Sequence, residues 1–181
     1  MNPGPPEATE LSLITVNVSS LGPHAHDLAR SVSPLVEDRS TDASLVCVQE
    51  HCVLKGAQEP LRRMASAAKA QMVLTPAEDD FGKASAGVGI IADARHTVQA
   101  LRMASREASQ LQAKGMLGIY LCDVGASVPL CVAVLYGYPC ADTDPKARAS
   151  NVHLFTHTIL ELQRVESLPI LVVGDLKLHP R

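Results

Sequence analysis

The sequence has no tryptophan, and only two Phe and three Tyr among 181 residues. Aromatic platforms for stacking single-stranded bases are therefore excluded as a main binding device. Charge of neither sign dominates. There are 16 Lys and Arg against 19 Asp and Glu, a formal net charge of −3, so bulk electrostatics give no support for tight polyanion binding. No apolar run reaches transmembrane length. Residues 1–10, rich in Pro and Glu, lack the basic and apolar regions of a secretory leader and are expected to be disordered. CxxC spacing is missing too. Five cysteines, Cys47, Cys52, Cys122, Cys131 and Cys140, are an odd number, which argues against a zinc site or a dense disulfide framework. Reduced thiols in a non-secreted, intracellular protein are expected. No GxGxxG or GxxxxGK[ST] follows a strand, so a phosphate-cradling glycine loop is absent. Gly87-Val88-Gly89 lies inside a strand-like run and is read as structural.

What is present is a run of apolar segments with strand and helix periodicities. Leu11 to Val18, Ser44 to Gln49, Gln71 to Thr75, Ala86 to Ala92, Thr97 to Met103, Met116 to Val124, Val128 to Tyr136 and Pro169 to Val173 read as strands. His24 to Val36 carries Leu28, Val32 and Leu35 at helical spacing, and Leu61, Met64, Ala65 and Ala68 mark a second helix. Asp144-Pro145 is a helix start, Asp as N-cap and Pro at the first helical position. Val152, Phe155, Ile159 and Leu162 then form one apolar face. Glu78-Asp79-Asp80 reads as an acidic loop, and the stretch after Met103 as a polar turn. Gly125-Ala126-Ser127 reads as a hairpin turn that would set Cys122 opposite Cys131, two small buried side chains. One mixed α/β domain over residues 11–181 follows, with sheet-on-sheet packing and helices outside.

Polar residues stand at the ends of three of these strands: Asn17, Glu50 and Asp175. In α/β proteins that is where chemistry is kept. The sequences that deliver them, taken in order, resemble the endonuclease/exonuclease/phosphatase superfamily. Thr15-Val16-Asn17-Val18-Ser19-Ser20-Leu21 stands where that family has T/S-W-N-V-N-G-L, and Ser44-Leu45-Val46-Cys47-Val48-Gln49-Glu50 where it has D-I-V-C-L-Q-E. Gly87-Val88-Gly89-Ile90-Ile91 matches its G-V-A-I-L strand. Val134-Leu135-Tyr136-Gly137-Tyr138-Pro139 approximates V-Y-x-P, and Gly174-Asp175-Leu176-Lys177 corresponds to G-D-F-N.

The resemblance implies a four-layer α/β sandwich that hydrolyses phosphoesters with Mg²⁺, or Mn²⁺ as the alternative ion. Glu50 would be the principal metal ligand with Asn17 beside it. Asp175 would orient or deprotonate the attacking water, and Tyr136 would contact the phosphate; Lys177, where the family has Asn, could bind the substrate phosphate, or equally repel the metal or pair off Asp175. The substrate would be nucleic acid, as in the nuclease and retroelement branches, or another phosphoester.

The chain departs from the family pattern at several places. Lys177 replaces the second Asn of G-D-x-N, Ser19 a metal-binding Asn or Asp, and Val16 the tryptophan. The family tyrosine falls on Gly137. Strand alternation then points Tyr136 and Tyr138 away from the site unless a bulge intervenes. Family members also continue through further strands that supply an Asp and a closing Asp-His pair. On this reading the domain is partial and weakly active, with an open sheet edge available for self-association. His24, His26, His51 and His179 are read as solvated loop histidines. Two other readings stand beside this one. The first is a non-catalytic interaction module on the same fold. The second is a doubly wound α/β protein with a ligand at a strand-order switch.

Overall fold

A computed structural model describes residues 11–32, 44–81, 83–165 and 167–176. Lys177 and His179, and the C-terminal part of the first expected helix, lie outside the described residues.

Central strands buried on both faces build the first sheet. β1 (Leu13–Asn17), β2 (Leu45–Gln49), β3 (Ala70–Thr75) and β6 (Val88–Asp93) pair in the order β1-β2-β6-β3, with β1 and β2 parallel and the other pairs antiparallel. On β2, Leu45 and Cys47 face a central core, while Val46 and Val48 face an outer one. The outer core is filled by α1 (Ala25–Ser31), through Ala25 and Ala29, and by α2 (Gln58–Ala67), through Ala65.

The second sheet has the order β10-β9-β8-β7, made of β7 (Thr97–Ala100), β8 (Leu117–Asp123), β9 (Leu130–Tyr136) and β10 (Ile170–Asp175), with β10 and β9 parallel. It packs face to face on the first sheet. α3 (Arg106–Ala113) and α4 (Pro145–Leu162) lie on its far side. The result is the expected four-layer α/β sandwich. Tyr120 pins the sheets together. It is fully buried on β8, its hydroxyl 2.8 Å from Thr75 Oγ1 on β3 and 3.1 Å from the Val88 carbonyl on β6.

Several local expectations are corrected. The acidic stretch Glu78–Asp80 is not a loop but β4, paired with β5 (Lys83–Ser85) in a hairpin that sets Asp80 opposite Lys83. An opposite-charge cross-strand pair supports such a ladder. The "polar turn" after β7 holds α3. Only Ala108 and Leu111 of that helix are buried, too few to show a period, and capping supplies the rest. Ser105 accepts from the Ala108 N–H, and the Glu161 carboxylate accepts from the Ala104 and Ser105 N–H groups. β7 accordingly ends at Ala100, not Met103.

On α4 the buried face is Asn151, Leu154, Thr158, Glu161 and Leu162, while Val152, Phe155 and Ile159 are exposed. The side chains of Asn151, Thr158 and Glu161 are satisfied by backbone or capping bonds. Cys122 pairs with Leu130, and Cys131 with Leu121, so the two cysteines are not directly opposite. All five cysteines are free.

Tyr120→Phe tests the inter-sheet pin. It strands the Val88 carbonyl and the Thr75 hydroxyl in a dry core, which should lower unfolding free energy by about 1–3 kcal/mol. Urea denaturation with an unchanged m-value would confirm a loss confined to stability.

Candidate active site

The parallel pairs β1/β2 and β10/β9 end at the same rim. Asn17 and Gln49 are register partners at the end of the first pair, and Asp175 and Tyr136 at the end of the second. The Gln49 amide donates to Thr15 Oγ1 at 2.9 Å, which ties β2 to β1 just before Glu50. Glu50 then adopts a left-handed backbone, φ 55°. A non-glycine residue pays of order 1–2 kcal/mol for that conformation, and such strain gathers where a side chain must be aimed. Ser19 (φ 51°) and Cys52 (φ 53°) share the strain at the same rim.

Four of the five sequence-derived site residues come together. The Asn17 amide donates from Nδ2 to Asp175 Oδ2 at 2.9 Å across the gap between the two sheets. Its Oδ1 accepts the Ser19 N–H at 3.1 Å. The Tyr136 hydroxyl hydrogen-bonds Glu50. Burial first, then the charges of Glu50 and Asp175, push the Tyr136 phenol far above its ordinary range, so it stays a neutral donor. Tyr136 therefore faces the site without a bulge, because the register sets it beside Asp175. Gly137 could not take the tyrosine's place. A Cβ there would lie 2.7 Å from the Leu176 Cα. The fifth residue, Lys177, is outside the described residues.

Other residues join the site without having been anticipated. Cys52 donates its thiol toward the Ser19 carbonyl at 3.6 Å and is charge-coupled to Glu50 and Tyr136. Asn151, buried on α4, accepts the Tyr138 N–H at 2.7 Å and donates to the Leu176 carbonyl at 2.8 Å. It thereby clamps the chain immediately after both Tyr136 and Asp175. The hydrophobic period of α4 gives no signal of it, because the same buried face also carries Thr158 and Glu161.

His51 is not a solvated loop histidine. It is fully buried, and Gly87 (φ +95°) opens the space for it: a Cβ at Gly87 would meet the imidazole at 2.4–2.7 Å. Its Nδ1 accepts the Val53 N–H at 2.9 Å, and its Nε2 lies 2.9 Å from the Thr75 carbonyl, to which it must donate. Both ring nitrogens are used, so His51 braces the loop behind Glu50. His24 and His26 are exposed, as expected.

Among the described residues, no three His, Cys, Asp or Glu side chains converge closely enough to hold a metal ion. The donors at the rim are one carboxylate from Glu50, the second lone pair of the Asn17 amide oxygen, and Asp175. All are hard oxygens. They suit a cation that keeps most of its water and is held by one or two carboxylates, as Mg²⁺ is. They do not suit a fully protein-coordinated ion.

Burial lowers the His51 pKa from 6.5 to about 4, more than its backbone hydrogen bonds raise it. The unfolded chain then takes up a proton near pH 6.5 that the folded chain refuses until about pH 4. Stability is full above pH 6.5 and is lost as pH falls through this window, by about 3 kcal/mol in all. Denaturation midpoints measured from pH 7.5 to 4, with NMR titration of the histidines, test this. A buried imidazole that titrates near pH 6.5 would refute it.

No protein-family model matches the sequence, and no curated protein matches it. Solved structures do. The 3′-5′ exonuclease NExo from Neisseria meningitidis superposes with a TM-score of 0.64 at 14% identity, over 91% of this chain and 57% of that one. The 3′ phosphatase NExo from Neisseria bound to product DNA hairpin gives 0.67 at 13% identity, covering 95% and 60%. The Xenopus laevis APE2 catalytic domain gives 0.64 at 14%, covering 93% and 59%. The chain thus spans 57–60% of the length of these structures. At such identities the likeness concerns the fold alone: the chain carries the α/β sandwich fold of these structures.

Proposed function

We propose that this chain carries part of a divalent-metal-dependent phosphoesterase site, weakly active or incomplete by itself. The observation that supports this most is the crossing of two hydrogen-bonded pairs at one rim: Asn17 with Asp175, and Tyr136 with Glu50. Four polar groups from four different strand ends meet there.

Glu50 and the Asn17 amide oxygen would hold Mg²⁺ or Mn²⁺. Bound there, the ion would polarise a phosphoryl oxygen and steady the leaving group. Asp175 accepts a proton from the attacking water, whose oxygen forms the new P–O bond as the ester P–O bond breaks. The Asn17 N–H fixes the Asp175 carboxylate for that role. Tyr136, kept neutral, exchanges its Glu50 acceptor for a phosphoryl oxygen. Lys177 is assigned to the substrate phosphate.

Nucleic acid is the favoured substrate class, because neighbours of this fold include an exonuclease and a phosphatase bound to a DNA hairpin. Another phosphoester is the alternative. The edge strands β1 and β10 are only half covered, with Ile14 39% and Ile170 41% exposed. Strand addition at these edges, by a second copy or another chain, is the partner relation that this exposure supports.

A non-catalytic module on the same fold is favoured by one observation. Asn17 spends both ends of its amide on protein partners, as a residue kept only for structure would.

Two readouts decide. Mg²⁺ at ten times its dissociation constant should stabilise the wild type by about 1.4 kcal/mol, and Glu50→Gln should abolish that shift. Hydrolysis of an abasic duplex should be slow, metal-dependent, and lost in both Glu50→Gln and Asp175→Asn. A thermal shift unchanged in Glu50→Gln would sink the metal assignment. A shift without hydrolysis would favour the non-catalytic module.

A further inference from the structure

The β4–β5 hairpin has no part in the reading above, yet it stands on the same rim. β3 runs antiparallel to β6, and β6 antiparallel to β2, so β3 is parallel to β1 and β2 and ends where they end. The hairpin leaves β3 there, after Thr75, and returns to the start of β6 at Val88. It is rooted on the segment that follows Glu50. On the incoming leg the Ala77 N–H donates to the Val53 carbonyl at 3.0 Å. On the outgoing leg the Ala86 carbonyl accepts the Cys52 N–H at 2.9 Å, and the Gly87 carbonyl accepts the His51 N–H at 3.3 Å. Gly115 closes the root from the second sheet. Its carbonyl accepts the Gly87 N–H at 3.0 Å, and a Cβ on it would lie 2.9 Å from the Pro76 carbonyl oxygen. Ala77 and Ala86 are buried. The arm is thus fixed in position relative to Glu50.

Past this root the arm is bare. Glu78, Asp79 and Asp80 are exposed, and Phe81 at the tip is 105% exposed with a left-handed backbone, φ 50°. Three residues at about 3.4 Å each carry the ring roughly 10 Å beyond the root. Single exposed apolar residues are common. This one ends a rigid arm bolted to the strap behind the principal candidate metal ligand.

We infer that Phe81 stacks on one unpaired base of a nucleic-acid substrate whose phosphoester lies at the Glu50–Asp175 rim. The inference rests on the phosphoesterase reading of that rim and narrows its substrate to nucleic acid with unpaired bases near the scissile phosphate. A phenyl ring has no atom that can hold a phosphate. It offers a π face, and every base has a face to match it. In a closed duplex those faces are covered by neighbouring base pairs. The arm is also poorly equipped to hold a duplex by its phosphates, since three acidic residues line it and its Lys83 stands opposite Asp80. The scarcity of aromatics excludes a platform for a long strand, but one ring serves one base. An arm of roughly 10 Å corresponds to about three base steps, so the base in question lies a few nucleotides from the reacting phosphate.

Because the sequence holds no tryptophan, Phe81→Trp places the sole indole at the tip. Its emission should be quenched when single-stranded hexadeoxyadenylate is added with Mg²⁺ present. An abasic sugar-phosphate hexamer, and a covalently closed circular duplex at equal phosphate, should leave it unchanged. Val128→Trp is the control. It puts the indole on the β8–β9 turn, at the opposite end of the strand that delivers Tyr136, and should not respond to the hexamer. Phe81→Ala should weaken binding of hexadeoxyadenylate about tenfold, and the loss in its cleavage should fall on KM and not on kcat. Both positions are exposed, and circular dichroism checks that the variants fold. Quenching by the hexamer without any hydrolysis would support the base contact while the catalytic reading fails. An indole that does not respond, or responds equally to the abasic hexamer or the closed duplex, would overturn the inference whether or not hydrolysis is seen. An unchanged affinity in Phe81→Ala would overturn it as well.

Discussion

A single hydrogen bond, from the Asn17 amide to the Asp175 carboxylate, joins the outermost strands of the two sheets where they run out of apolar contact. Below it the sheets are held by a dry core in which direction matters little. At the rim that core stops, and water would enter between β1 and β10 unless polar groups closed the gap. The site is therefore not an addition to the fold. The same bond that finishes the sandwich also fixes which face of Asp175 is presented and which amide oxygen of Asn17 is left over.

Part of the molecule's backbone strain lies at the same level. Ser19, Glu50 and Cys52 all hold left-handed backbones there. Each is locked by a backbone bond to a neighbour: Ser20 to Val18, His51 to Gly87, and Cys52 to Ala86. His51 sits beneath them as a neutral wedge with both nitrogens occupied. Gly87 exists in this arrangement as a space, and any side chain would collide with that ring. Strain at the rim is thus supported by a rigid layer one residue deeper, which is how an aimed carboxylate keeps its aim.

Much of this was legible in the sequence, and the reasons for success and failure are physical. The strands that deliver Asn17, Glu50 and Asp175 are buried runs with clear boundaries, so their ends could be placed from the residues. α3 was invisible because its stability comes from Ser105 and from Glu161, 56 residues away, not from its own period. The inward face of α4 was misjudged for a related reason. Asn151 and Glu161 are buried because distant backbone groups need them, and no hydrophobic pattern reports such a debt. Tyr136 was expected to point away, since counting alternation along one strand ignores the register with its neighbour. His51 looked like a loop residue, and only Gly87, 36 positions later, makes room for it. In each case the missing information lay far away in the sequence: a polar contact, a strand register or the space left by a glycine.

The Asn17–Asp175 bond spans 158 positions of the chain. Contacts of that separation form late, because the loop between them must be closed before the bond repays anything. During synthesis the first sheet can assemble and bury Val46, Val48 and Ile91 long before β10 leaves the ribosome. The polar rim would then form after the sheet beneath it. Until that moment a nascent chain would hold its structural half complete and its chemical half unmade.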